Sequence, residues 1–147
     1  MDWSNITNKT VELPSGVKVQ YSRLDALLHG SPEIKPKSKN YIVDVIKGDN
    51  LQVFGTEKNN DFVKVSGNDN KVEGVGKLEL FGKRGIVSAT ENADKYTVFS
   101  NDTQIKNLKD NDELTTFNYK GEERPPLMTK IKNLCLGLLA AGGGSFP

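Results

Sequence analysis

The chain has 147 residues, with 20 Lys and Arg against 19 Asp and Glu, a formal net charge of +1, and hydrophobic residues make up 35% of it. So even a balance excludes a long-range field that would gather nucleic acid or anionic lipid, and a single cysteine, Cys135, excludes both an intramolecular disulfide framework and a multi-cysteine metal site. The length suits one domain with terminal extensions, and so polar a composition predicts an economical core or one completed by neighbouring chains.

The first ten residues carry no basic stretch followed by an apolar one, so no secretory leader is expected and the Asn-x-Ser/Thr triplets at Asn5, Asn8 and Asn101 read as chance matches. Residues 10–21 form two short alternating runs joined at Pro14-Ser15-Gly16. Pro fixes φ for the first central position of a turn and Gly permits a left-handed exit, which predicts a tight hairpin with Val17, Val19 and Tyr21 on one face. Ser22 then caps a short helix: Asp25 stands three residues on, Leu24, Leu27 and Leu28 fall at i, i+3 and i+4, Gly30 suits the exit, and Pro32 forbids continuation. The Lys-rich run over residues 32–40 reads as a solvated linker.

From Tyr41 the pattern switches to period two. Short β-branched and aromatic runs over residues 41–46, 51–54, 62–65, 71–81, 85–90, 95–100 and 113–119 alternate with Gly/Asn/Asp turns about every ten residues. That spacing predicts an all-β domain rather than βαβ units, and no internal repeat is apparent. Arg124-Pro125-Pro126 stops the last strand, and beyond it Leu127, Ile131, Leu134, Cys135, Leu138 and Leu139 recur at helical spacing before Gly142-Gly143-Gly144. The expected fold is mainly β: an antiparallel β-sandwich or small barrel over residues 41–121, with an N-terminal hairpin-helix arm (1–34), a linker (35–40), and a C-terminal amphipathic helix and tail (122–147).

Chemistry is sparse. His29 is the sole histidine, so no triad or zinc site can be completed around it, and Cys135 on an apolar face reads as packing. The Gly-Lys pairs Gly76-Lys77 and Gly82-Lys83 lack both the upstream glycine of a phosphate loop, where Lys71 and Lys77 stand, and the following Ser or Thr, where Leu78 and Arg84 stand. Asp110-Asn111-Asp112 lacks the ligand order of a calcium loop. Gly74-Val75-Gly76 within a strand run marks a bulge or a close backbone approach. Tyr41, Phe54, Phe62, Phe81, Tyr96, Phe99, Phe117 and Tyr119 fall mostly in register with aliphatic positions, which predicts burial for most of them rather than a base-stacking surface. No motif argues for an enzyme, and no cofactor or metal is expected.

The C-terminal run 134–141 is too short to span a bilayer, yet it is apolar around much of its circumference. One face of a small β-domain cannot cover that, so Leu127, Ile131, Leu134, Leu138, Leu139 and Phe146 are expected as anchors against other protein subunits, in a homo- or hetero-oligomer. Leu13-Pro14-Ser15-Gly16, Arg23, Leu27-Leu28 and Gly30-Ser31-Pro32, within residues 9–34, resemble the opening of tailed-phage structural and tail-assembly proteins. The resemblance implies a virion component (capsid, connector or tail) assembled in the host cytoplasm, and the lack of a catalytic motif makes a non-enzymatic structural role the expectation. A second stretch, residues 95–119, resembles the closing strands of a forkhead-associated domain, with Gly82-Lys83-Arg84-Gly85 and Ser88 in part matching that family's pocket and no histidine after them. It implies the alternative, a β-domain that binds phosphopeptide; the strand aromatics near lysines add to that alternative a module for single-stranded nucleic acid.

Overall fold

A computed structural model describes residues 7–57 and 61–118. The chain is mainly β, as expected, but it is a β-solenoid of stacked coils and not an antiparallel sandwich or barrel. No C-terminal helix is present among the described residues, and the stretch expected to form one lies beyond them.

The first described strands form an antiparallel hairpin, β1 (Asn8–Glu12) and β2 (Lys18–Ser22), followed by helix α1 (Arg23–His29) and β3 (Glu33–Lys35). Both cap signals hold: the Ser22 side chain accepts a bond from the Asp25 N–H, and Gly30 leaves the helix at φ 92°. Then come β4 (Asp44–Lys47), β5 (Gln52–Phe54), β6 (Phe62–Ser66), β7 (Lys71–Glu73), β8 (Lys77–Phe81), β9 (Ile86–Ser88), β10 (Lys95–Phe99), β11 (Gln104–Lys106) and β12 (Glu113–Phe117).

These strands alternate between two sheets. One has the order β1-β2-β5-β7-β9-β11, the other β12-β10-β8-β6-β4-β3. Within each, the coil strands from β4 onward pair in parallel, while β2 meets β5 and β3 meets β4 antiparallel at the start.

This topology explains why turn signals every ten residues mislead. Parallel neighbours need a long crossover, usually a helix. Here the crossover is a strand of the opposite sheet with a corner on either side, so each run's hydrogen-bond partner is two runs away. The register shows the repeat that composition hid: Asp44 pairs with Val63, Val63 with Leu78, Leu78 with Tyr96 and Tyr96 with Leu114, so a coil takes between 15 and 19 residues.

Period-two alternation turns one side of every strand inward. Val53, Val72 and Val87 from one sheet and Ile46, Val63, Val65, Leu78, Leu80, Tyr96 and Val98 from the other form one core, with Val17, Val19 and Tyr21 of the hairpin closing its first edge. Each such aliphatic side chain contributes roughly 1.5–3 kcal/mol by leaving water.

The four-residue corners after β4, β6 and β8 begin with Gly48, Gly67 and Gly82, stacked directly over one another. A Cβ on Gly67 would lie 1.7 Å from the Gly48 carbonyl oxygen, and one on Gly82 would lie 1.7 Å from that of Gly67. Only glycine fits, since the backbones approach without room for a side chain. Layers of the corner are stitched together by Asn68 N–H on Asp49 Oδ1 (2.8 Å), Lys83 N–H on Asn68 Oδ1 (3.0 Å) and buried Asn70, which accepts from Leu51 N–H and donates to the Gly48 carbonyl, each at 2.9 Å. At the opposite corner a Cβ on Gly55 would lie 2.0 Å from the Gly74 carbonyl oxygen, the close approach expected around Gly74-Val75-Gly76.

Candidate interaction surfaces

Three surfaces stand out once the core is accounted for. The first is α1. Ala26 packs against the core, while Leu24, Leu27 and Leu28 face outward, 61%, 82% and 64% exposed. No residue of this helix is buried. Helical spacing therefore identifies an apolar face correctly, but that face points away from the coils.

The segments before and after the helix are tied to the first coil. The buried carboxyl group of Asp44, at the start of β4, accepts from the Ser15 hydroxyl in the hairpin turn (2.6 Å) and from the Lys37 N–H (2.7 Å). Three sequence-distant pieces meet at that one side chain, so the arm and the first coil share a rigid join. His29 sits exposed in the last turn of α1.

The second surface is a column of aromatic rings. Phe81, Phe99 and Phe117 occupy one register position on the outer face of β8, β10 and β12. Phe81 and Phe99 stack at 4.4 Å and 3°, Phe99 and Phe117 at 4.9 Å and 14°, and Lys64 Nζ stands 5.2 Å from the Phe81 ring centroid. The expectation that most strand aromatics are buried does not hold. Tyr96 is buried, whereas Phe54, Phe62, Phe81 and Phe99 are half-buried on outer faces and Tyr41 and Phe117 are exposed; Tyr119 lies outside the described residues. In-register stacking of like residues gives each ring shelter without a core position. Both faces of Phe99 are taken by its neighbours, which removes the face a base would stack on. The signal was available in sequence: three phenylalanines at one constant spacing, 81, 99 and 117.

The third surface is the C-terminal end of the stack. All five residues of β12 are exposed, including Leu114 at 42% and Phe117 at 48%, although Leu114 occupies the inward position that Leu78 and Tyr96 hold at 1% exposure. The Tyr96 hydroxyl donates to the Val75 carbonyl at 2.6 Å, and burial, then the nearby Asp112 charge, push its pKa up to about 12.

The expected anchors Leu127, Ile131, Leu134, Leu138, Leu139 and Phe146, and also Cys135, lie outside the described residues. Among the described residues no group of three or more His, Cys, Asp or Glu is placed to hold a metal ion, and no helix is long and apolar enough to cross a membrane. Compared with family models, curated proteins and solved structures, the chain matches none.

Proposed function

We propose that the chain is a non-enzymatic structural component of an oligomeric assembly, and specifically a phage virion protein assembled in the host cytoplasm. The observation that carries this reading is the outward leucine face of α1, Leu24, Leu27 and Leu28. A rigid scaffold holds these side chains in water, where each forgoes roughly 1.5–3 kcal/mol that burial would return. Such a face on a fixed element is suited to docking in a groove of another subunit.

The virion setting is supported by the resemblance of residues 9–34. Its residues include Ser15, whose hydroxyl reaches Asp44, as well as Leu27 and Leu28 on the open face. Mass by light scattering, for the full chain alone and mixed with other proteins of the same particle, tests the reading. The expected result is a complex that the combined change Leu24→Asp, Leu27→Asp and Leu28→Asp dissociates while the β-type circular dichroism persists. A chain that stays monomeric in every mixture overturns it.

A further inference from the structure

The outer face of the first coils holds a groove that neither α1 nor the ring column accounts for. It has a volume of about 360 Å³, and its lining includes Lys35, Tyr41, Val45, Lys47 and Lys64, with Glu33 as its one acidic group. Part of the Lys-rich run expected to be a solvated linker forms one wall. Lys35 ends β3, Ser38 and Tyr41 exchange backbone hydrogen bonds (2.7 and 3.3 Å), and the Lys37 N–H is bonded to buried Asp44. The segment is therefore fixed, and it holds the Tyr41 ring in place at 67% exposure.

Strand register sets the floor. Lys35 pairs with Val45 and Val45 with Lys64, so one row across β3, β4 and β6 runs ammonium, isopropyl, ammonium, with its two lysines rooted about 10 Å apart. Lys47 stands two residues along from Val45 and faces Glu33 on the neighbouring strand. Among the described residues none of these three lysines forms an ion pair. With three ammonium groups to one carboxylate, the groove is cationic although the chain as a whole is close to neutral.

A lone phosphate or carboxylate is too small to meet both lysines of that row, and Val45 and the Tyr41 ring between them offer apolar contact rather than charge. An extended peptide answers both features. Its alternate side chains share one face, and positions i and i+4 lie roughly 13 Å apart, a span that two long stems rooted about 10 Å apart can cover. Acidic residues at i and i+4 with an apolar one at i+2 then set a carboxylate against each lysine and a hydrocarbon side chain over Val45. A nucleic-acid strand brings no apolar group to that floor, and it would find one open ring where successive bases need several.

We infer that this groove binds an extended acidic segment of a partner protein, with the pattern acidic-x-apolar-x-acidic. Charge complementarity supplies the attraction and the apolar floor the discrimination. No residue of α1 lines the groove, so the inference goes beyond the assembly reading and stands without it.

The test uses the full chain and a fluorescein-labelled peptide, Gly-Glu-Thr-Leu-Thr-Glu-Gly, followed by polarisation at low ionic strength. Saturable binding is expected. Lys35→Gln with Lys64→Gln should weaken it by about tenfold or more, and Tyr41→Ala severalfold. Lys77→Gln with Lys95→Gln removes the same charge from the same sheet outside the groove and should change it by less than about twofold. The β-type circular dichroism of each variant should match that of the parent. The peptide Gly-Thr-Glu-Leu-Glu-Thr-Gly tests the pattern without touching the protein: its composition is identical, but its carboxylates lie on the face opposite the leucine, and it should bind about tenfold more weakly. Absence of saturable binding at millimolar peptide, an equal loss from the Lys77 and Lys95 pair, equal binding of the rearranged peptide, or equally tight binding of an oligothymidylate of the same charge overturns the inference.

Discussion

The two ends of the coil stack are built on different principles. At the first end the chain reverses: β2 lies antiparallel to β5 and β3 antiparallel to β4, so the parallel ladders meet strands of another kind, and Asp44 ties the hairpin turn to the approach to β4. At the last end β12 follows the same parallel rule as β8 and β10, and nothing in that rule says where to stop. Parallel coils have no intrinsic terminus, so closure has to come from sequence that departs from the repeat. The antiparallel strands supply it at one end, and β12 is the last described strand at the other.

The largest effect belongs to neither end. Gly67→Ala places a methyl group on the Gly48 carbonyl oxygen, and the backbone it meets cannot move aside cheaply. A loss on the order of 4 kcal/mol is expected, read as a fall in urea midpoint, with both ends unfolding together. Should the ends unfold separately instead, the comparison would have to be redrawn as one between two cooperative units.

Asp44→Ala attacks the closed end alone. It leaves the Ser15 hydroxyl and the Lys37 N–H without their acceptor and should cost about 2–3 kcal/mol. Hydrogen exchange should rise first in β3 and β4, while β10 stays as it was.

Alkali tests the last buried layer before the open end. The Tyr96 hydroxyl ionises at about 12 in the folded chain against about 10 unfolded, so the stability it brings is complete below pH 10 and disappears as pH rises from 10 to 12. The Tyr96 hydroxyl should therefore titrate late in the ultraviolet, at the pH where folding is lost. Tyr96→Phe should remove the late step and cost about 1 kcal/mol, through the Val75 carbonyl left without its donor.

The ring column sharpens the contrast further. Phe99 stacks on two rings and Phe117 on one, so at about 0.5–1.5 kcal/mol per pair Phe99→Ala should cost roughly twice what Phe117→Ala does. The smallest effect is on the corner surface. The Arg84 guanidinium bonds both oxygens of Asp69 and holds that carboxyl below its ordinary range, so the pair's contribution is present at neutral pH and fades as acid protonates Asp69. Both groups are well exposed, and Arg84→Ala should shift the melting temperature by no more than a degree or two.

Much of the local structure was legible in the chain. Pro14-Ser15-Gly16 gave the hairpin turn, Ser22 and Gly30 the helix limits, and period-two runs most of the strands, though β3 fell within the run read as a linker, β11 in no expected run, and β7 and β8 were read as one. The pairing was not legible, because alternation reports only that one side of a strand is buried. It is silent on whether the neighbour across the ladder is the next run or the one after. That choice is written in Gly48, Gly67 and Gly82, which can stack only if corners lie above corners, and in the repeated spacing of Phe81, Phe99 and Phe117. Of the candidate surfaces, Leu24, Leu27 and Leu28 were visible as one helical face, but their direction depends on how Ala26 meets the core, which no local pattern encodes.

The constant interval along the phenylalanine column makes the molecule a ruler graduated in whole coils. Excising residues 82–99 would join Phe81 to Ser100, bring Phe117 onto Phe81 and leave every inward side chain pointing inward, shortening the rod by one division of about 5 Å. Cutting out an odd number of residues from a strand would instead turn its greasy side to water. Evolution can thus adjust the distance between the two ends in fixed steps without redesigning either one.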